Sequence, residues 1–143
     1  MILVDANLLL FATNLDAPEH ERSKQWLDRQ LSGPTRVGLP WPSLLAFARI
    51  ATNPSALRHP LSPAAAWQQV RDWLAADVAW IPLPGDHHVE ILGRLFGSTT
   101  MSSRLVPDAH LAALAIEHGL TLCSTDGDFA KFPGLTWRNP LAA

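Results

Sequence analysis

The sequence has 143 residues, enough for one globular domain, and its formal net charge of -2 gives no overall attraction to nucleic acid. Hydrophobic residues make up 48% and charged residues 17%, which excludes an intrinsically disordered chain. A single cysteine, Cys123, excludes both an internal disulfide and a cysteine-rich zinc site. We therefore expect one domain over residues 1–143 in a reducing cytoplasm, with no secretory signal and no membrane span.

Short apolar runs alternate with helical patterns along the chain. No internal repeat or low-complexity tract interrupts them. This alternation is typical of an α/β domain with a mainly parallel sheet. The predicted order is a strand at 1–5, helices at 7–14 and 16–33, a strand at 37–39, helices at 42–52 and 63–76, a strand at 78–83, a helix at 87–96, a polar loop at 97–104, a helix at 109–118 and a strand at 121–124.

Local signals predict several helix ends and buried faces. Asp16 and Glu19 have the spacing of a capping box, and Ser62 before Pro63 predicts a capped helix start. Asp108 is expected to open the helix that Gly119 closes. The residues expected to face the core are Trp67, Val70 and Leu74 in the helix at 63–76, and Val89, Leu92 and Phe96 in the helix at 87–96.

Acidic residues stand where such a domain has its functional edge: Asp5 after the first strand, Asp108 at a helix start, and Asp126 with Asp128 after a late strand. Ligands collect at the carboxyl ends of parallel strands, so these carboxylates can converge in one cleft. Grouped carboxylates raise one another's pKa unless a cation neutralises them, and oxygen ligands favour Mg²⁺ or Mn²⁺. Such a site is suited to metal-assisted hydrolysis of a phosphodiester, with Asn7 available to position a water or a phosphate.

Each acidic residue also has a purely structural interpretation. Asp108 is a suitable helix N-cap, and Asp126-Gly127-Asp128 is an ordinary turn sequence. Asp5 is harder to explain in this way, because an acid that ends a buried strand is costly unless it is paired or bound to a metal. The conjunction of these residues favours a site more than any one of them does.

The histidines and tryptophans give weaker signals. His87-His88 lacks a third ligand nearby, so we do not expect zinc, and His110 is placed where it could face the cleft. Most tryptophans are expected in the core, with Trp41 or Trp137 as alternatives for stacking on a base. The histidines expected at the surface are His20, His59 and His118.

Three motifs in order resemble the PIN-domain family, and within it the VapC toxins of bacterial toxin–antitoxin pairs. They are Ile2 to Asn7, Val106 to Ala115 and Ser124 to Phe129, and the match runs nearly end to end. The resemblance implies a three-layer α/β/α fold and a Mg²⁺- or Mn²⁺-dependent endoribonuclease that cuts structured RNA such as transfer or ribosomal RNA. It also implies a homodimer and a VapB-like antitoxin. The residues that match the catalytic and metal-binding acids of the family are Asp5, Asp108 and Asp126, with Asp128 at a less constant fourth position.

One departure from the family pattern concerns the helix at 42–52. The family usually has a Glu there, whereas this helix contains no acid and Ala46 is the nearest position. The number of metal ions and the full activity therefore stay open, and a catalytically weakened domain that binds RNA or an antitoxin is an alternative. An aspartyl-phosphate phosphatase with Asp5 as nucleophile is a further alternative, but Asn7 stands where such enzymes have a second acid.

Overall fold

The computed structural model describes residues 1–98 and 101–142, in which helices and strands alternate as predicted. None of the helices in these two ranges is both long enough and apolar enough to cross a membrane. The strands are β1 (Ile2–Val4), β2 (Val37–Gly38), β3 (Ala79–Trp80), β4 (Thr121–Cys123) and β5 (Trp137–Arg138). The helices are α1 (Ala6–Thr13), α2 (His20–Leu31), α3 (Trp41–Ala51), α4 (Pro63–Leu74), α5 (His88–Phe96) and α6 (Val106–His118).

The sheet is parallel throughout and has the order β3-β2-β1-β4-β5, which confirms the predicted parallel sheet. β1 lies at the centre, with β2 on one side and β4 on the other. From β1 the chain adds β2 and β3 on one side of the sheet and then crosses over to add β4 and β5 on the other side. The gap between β1 and β4 is therefore the topological switch point, where ligands bind in open α/β sheets. The sequence did not predict β5, because its two residues are a half-buried Trp137 and an exposed, charged Arg138, which form no apolar run.

Side chains of β1 alternate between the two faces of the sheet and define the layers. Ile2 and Val4 enter a core that also holds buried residues of α1 to α4. Leu3 enters a second core, formed with α5 and α6. Because successive residues of a strand point to opposite faces, one fully apolar strand can serve both cores. Helices therefore cover both faces of the sheet, as the predicted three-layer α/β/α fold requires.

The helix starts agree with prediction at one position and differ at two. The Ser62 hydroxyl accepts a hydrogen bond from the Ala65 amide at 3.1 Å, which confirms the predicted cap. The predicted capping box is wrong, because α2 begins at His20 and Glu19 makes no side-chain capping bond. α6 begins at Val106, two residues before Asp108, so Asp108 lies in the first turn and is not the N-cap.

Two predicted buried faces are confirmed only in part. Val70 is buried as expected, and Leu74 and Leu92 are partly buried against the cores, whereas Trp67, Val89 and Phe96 are exposed. α5 buries His88, Ile91 and Leu95, which leaves Val89 81% exposed. α4 buries Ala66, Val70 and Trp73, so Trp67 lies at the surface and stacks on Trp41 with a centroid separation of 6.4 Å. Both helices carry apolar residues on adjacent faces, and periodicity alone does not choose between such faces.

The predicted polar loop at 97–104 is partly accounted for. Thr99 and Thr100 lie outside the described residues. Ser103–Leu105 forms a short 3₁₀ turn that leads directly into α6, so this part of the segment is ordered against the helix that carries Asp108.

Candidate functional site

Two neighbouring strands deliver polar residues to the same edge of the sheet. Asp5 follows β1, and its amide donates to the Cys123 carbonyl of β4 at 3.0 Å. Asp5 is also the N-cap of α1, and its Oδ1 accepts from the Ala6 amide at 2.8 Å. Ser124 follows β4 on the adjacent strand. The switch point of the sheet therefore carries the predicted acid, as its position after β1 indicated.

Ser124 is the centre of a hydrogen-bond network that joins the two strand ends. It is fully buried, and its Oγ donates to Asp5 Oδ2 at 2.8 Å. The same Oγ accepts from Asn7 Nδ2 at 3.1 Å and from the Asp126 amide at 3.0 Å. Asn7 Nδ2 also donates to Thr125 Oγ1 at 2.9 Å. Ser124 therefore positions Asp5, Asn7 and Asp126 relative to one another, a role that sequence reasoning missed although Ser124 stands directly before the acidic turn.

The turn after β4 and the start of α6 bring two more acids to this edge. Asp126 Oδ1 accepts from the Asp128 amide at 2.9 Å, so the predicted turn exists and forms part of the site. Asp108 is half-buried in the first turn of α6. Burial raises the pKa of Asp108 to about 6, and the negative charges of Asp5, Asp126 and Asp128 contribute further. Mutual repulsion of this kind requires that these acids lie close together.

Asp5 is subject to the same conflict between charge and burial. Burial raises the pKa of the Asp5 carboxyl, although the hydrogen bonds from Ser124 and Ala6 act in the opposite direction, and the charge of Asp126 raises it further. A cation between Asp5, Asp108 and Asp126 would relieve both effects at once.

The chemistry of the donors fits a hard divalent cation. The available groups are carboxylate and amide oxygens, and Asn7 Oδ1 is buried without a hydrogen-bond partner among the described residues. Within residues 1–98 and 101–142, no three His, Cys, Asp or Glu side chains already form a ligand group for a metal ion. A bound ion would offset the mutual repulsion that keeps these carboxylates apart when no cation is present.

Asp128 differs from the other acids because two basic side chains compensate its charge. Arg104 Nη1 donates to Asp128 Oδ2 at 2.5 Å, and Lys131 Nζ lies 3.0 Å from Asp128 Oδ1. The hydrogen bond from Arg104, and then that from Lys131, lowers the pKa of Asp128. Sequence reasoning identified neither basic residue, since their contact with Asp128 depends on the fold.

Two of the six histidines, His88 and His110, form a separate cluster between α5 and α6. His88 is buried, its Nε2 lies 3.1 Å from His110 Nδ1, and its Nδ1 lies 3.9 Å from Glu117 Oε1. Burial and the charge of His88 lower the pKa of His110. His110 therefore contacts α5, and its described interactions are with His88 and with no acid of the site. His20 is also buried, contrary to prediction, and its Nδ1 lies 2.9 Å from the Phe11 carbonyl oxygen.

Comparison with known proteins identifies the family. Residues 2–135 match the sequence profile described as the PIN domain. The chain belongs to the PIN-domain family. A relative named Ribonuclease VapC37, from Mycobacterium tuberculosis (strain ATCC 25618 / H37Rv), is 46% identical over 142 residues and is covered over 99% of each chain. This similarity places the PIN domain described above in the VapC group, as the three sequence motifs indicated.

Solved structures share the same PIN-domain fold at low sequence identity. A toxin–antitoxin complex from Klebsiella pneumoniae aligns over 100% of both chains with a TM-score of 0.63 and 21% identity. VapC20 from Mycobacterium tuberculosis, described as a sarcin–ricin loop cleaving toxin, aligns over 95% of this chain and 99% of that chain with a TM-score of 0.65 and 20% identity. At these identities the structures establish the fold alone.

Proposed function

We propose that this PIN domain is a Mg²⁺- or Mn²⁺-dependent endoribonuclease of the VapC type that hydrolyses phosphodiester bonds in structured RNA such as transfer or ribosomal RNA. The observation that carries the proposal is the group of acids at the switch point, in which the pKa of Asp108 is raised to about 6 by burial and by neighbouring carboxylates. The relative named Ribonuclease VapC37 supports the same activity. The sarcin–ricin loop is structured RNA, and its cleavage by VapC20 supports the substrate class.

Asp5, Asp108 and Asp126 would hold the ion through their carboxylate oxygens. A bound divalent ion supplies a Lewis acid for the phosphodiester and lowers the pKa of a coordinated water. Ser124 and Ala6 fix the two oxygens of Asp5, and Asp128 fixes one oxygen of Asp126 through its amide. Because α6 begins beside Asp108, the positive end of its dipole favours a negatively charged phosphate at this edge.

Asp108 also responds to the charge of the site. Without a cation its raised pKa means that it holds a proton over part of the range just below neutral pH. Binding of a divalent cation favours the ionised carboxylate and releases that proton. Hydrolysis adds water across a P–O bond. The attacking water must give a proton to an acceptor at this edge, and the leaving ribose oxygen must receive one from a donor.

The proposal includes a partner and an assembly. We infer a VapB-like antitoxin, and the Klebsiella pneumoniae structure, described as a toxin–antitoxin complex, supports this inference. A homodimer, a single domain over residues 1–143 and a cytoplasmic location complete the proposed toxin. Analytical ultracentrifugation of the purified chain tests the dimer.

A catalytically weakened domain that binds RNA or an antitoxin is the second candidate. It is favoured by one observation: α3 carries no acid, and Ala46 occupies the position nearest to the family's Glu. Such a domain would retain RNA binding and lack turnover.

Cleavage of total bacterial RNA by the purified protein in Mg²⁺, Mn²⁺ or EDTA separates the two candidates. We expect discrete fragments from the wild type only when metal is present, and none from Asp5→Asn or Asp108→Asn. Asp77→Asn removes an exposed acid that lies after α4 and serves as the matched control. Cleavage in EDTA, or cleavage by the two site variants at the wild-type rate, would contradict the proposed site. Binding without cleavage in either metal would favour the second candidate.

A further inference from the structure

The rim of the acidic site contains a compact group of opposite charges. Arg104 bonds one oxygen of Asp128, and Lys131 lies beside the other. The Arg104 side chain is 63% exposed and that of Lys131 is 43% exposed, whereas Asp128 is 23% exposed. The basic groups therefore face solvent, and the carboxylate lies beneath them.

This group spans the two segments that carry the proposed metal ligands. Arg104 belongs to the 3₁₀ turn directly before α6, four residues before Asp108. Lys131 ends the turn that begins after Asp126. The charges of Asp126 and Asp108 also act on Arg104. The guanidinium and the ammonium thus stand at the border of the acid cluster.

Asp128 is poorly suited to the role of a further metal ligand. Each of its oxygens already faces a cation, whereas Asp108 has only unfavourable acidic neighbours apart from the weaker effect of Arg104. A metal ion binds less strongly to a carboxylate whose charge is already compensated by basic side chains than to one whose charge is not compensated.

We propose that Arg104 and Lys131 form a phosphate-binding rim for the RNA backbone, next to the phosphodiester that is cut, and that Asp128 is the positioning residue that holds them there. This inference rests on the proposed ribonuclease function. A guanidinium has five N–H donors in a planar fork, and Arg104 uses one nitrogen for Asp128, so the exposed part of the fork is available to a phosphate. Because the whole chain has a net charge of -2, attraction of RNA depends on local cations of this kind.

RNA binding measured in EDTA tests the rim independently of cleavage. The probe is a short 5′-fluorescein-labelled single-stranded RNA, followed by fluorescence anisotropy at several NaCl concentrations. We expect Arg104→Gln and Lys131→Gln each to weaken binding by about three- to tenfold, and the slope of log affinity against log salt to fall by about 0.7 for each lost phosphate contact. Arg104→Lys retains the charge and should recover part of the affinity.

Arg71→Gln is the matched control for the loss of one positive charge. Arg71 is exposed on α4, which packs into the core on the other face of the sheet from α6. We expect the affinity and salt slope of this variant to match those of the wild type. Equal effects of Arg104→Gln and Arg71→Gln would overturn the proposed rim.

Two further readouts test the role of Asp128. Mn²⁺ affinity, measured from the free-ion EPR signal without RNA, should change by less than about twofold in Asp128→Asn and fall by about tenfold or more in Asp108→Asn. Arg104→Gln should weaken RNA binding less in the Asp128→Asn background than in the wild type, because Asp128 acts through Arg104. A large loss of Mn²⁺ affinity in Asp128→Asn would make it a metal ligand and overturn its positioning role, as would equal effects of Arg104→Gln in both backgrounds.

Failure of the rim and failure of the nuclease give different results. A wild type that cuts RNA with metal, but binds RNA equally well after Arg104→Gln and Lys131→Gln, refutes the rim and leaves the nuclease. A wild type that binds RNA through these residues but cuts nothing refutes the nuclease and leaves the rim.

Discussion

Replacement of Ser124 by Ala tests the hydrogen-bond network that joins β1 to β4. Ser124 Oγ donates to Asp5 Oδ2 and accepts from Asn7 Nδ2 and the Asp126 amide. Asn7 keeps its bond to Thr125, whereas the Asp126 amide and Asp5 Oδ2 lose a partner in a buried or half-buried setting. An unsatisfied buried polar group costs about 1–3 kcal/mol, so we expect a loss of about 2–4 kcal/mol in the free energy of unfolding.

Ser43→Ala is the matched control, because Ser43 is also buried but its Oγ has no hydrogen-bond partner among the described residues. Removal of this unpartnered hydroxyl relieves such a cost, so it should leave the free energy of unfolding unchanged or raise it by about 1 kcal/mol. Urea denaturation followed by tryptophan fluorescence in EDTA measures both variants under the same conditions. If Ser124→Ala and Ser43→Ala differ by less than about 0.5 kcal/mol, the network does not hold the strand ends together and the reasoning is refuted.

Three further predictions concern the electrostatics of the site and the local geometry. The pKa of Asp108 is raised to about 6 in the folded protein, so the ionised carboxylate lowers the free energy of unfolding above pH 6, and this loss disappears as the pH falls toward the unfolded pKa near 4. Urea denaturation in EDTA from pH 7 to pH 4 should show the resulting gain in the free energy of unfolding for the wild type. Asp108→Asn should show less of this gain. Gly119 ends α6 at φ 67°, so Gly119→Ala should lower the free energy of unfolding by about 1 kcal/mol. Gly93 lies inside α5, where an added Cβ meets nothing within 4 Å, so Gly93→Ala should stabilise the protein. Thermal unfolding that gives both changes the same sign would contradict this. The Glu117 carboxylate accepts hydrogen bonds from the Gly85 and His87 amides at 2.8 and 2.9 Å. Glu117→Ala should therefore speed hydrogen exchange at these two amides by at least about tenfold. Unchanged exchange would show that the segment before α5 does not depend on this carboxylate.

The main features of the fold were predictable because they depend on strong local patterns. The apolar run of Ile2 to Val4 predicted a strand buried on both faces, and the structure confirms that its side chains enter both cores. Ser62 before Pro63 predicted a helix start, which the Ser62 cap confirms. The Asp16 and Glu19 spacing wrongly predicted a capping box. The Asn14 side chain accepts a hydrogen bond from the Asp16 amide, and the chain turns before α2 begins at His20.

Buried faces were less predictable where two apolar series overlap. In α5, His88, Ile91 and Leu95 form one series, and Val89 with Phe96 belongs to the other. His88 is buried because it meets His110 and lies near Glu117, and both partners belong to α6. Contacts between separate helices therefore decided which series turned inward, and the sequence of α5 alone does not contain that information.

The acids of the candidate site were predictable, and the groups around them were not. Asp5 and Asp126 follow strands, and their place at one edge follows from the parallel sheet. Their ligand roles stay predictions until metal binding is measured. The contacts of Ser124 and Arg104 were missed because they join residues 119 and 24 positions apart, and no local pattern reports a pairing over that range.

The pairing of β1 with β4 also determines when the site can exist during synthesis. Asp5 and Asn7 are synthesised well before their partners Ser124 and Thr125, which follow 117 to 119 positions later. A ribosome-bound chain that ends before β4 lacks the strand beside β1, and Asp5 therefore lacks the hydrogen bond from the Ser124 hydroxyl. Long-range pairing of this kind forms late and slowly. The proposed site therefore cannot assemble on the growing polypeptide until β4 has been made.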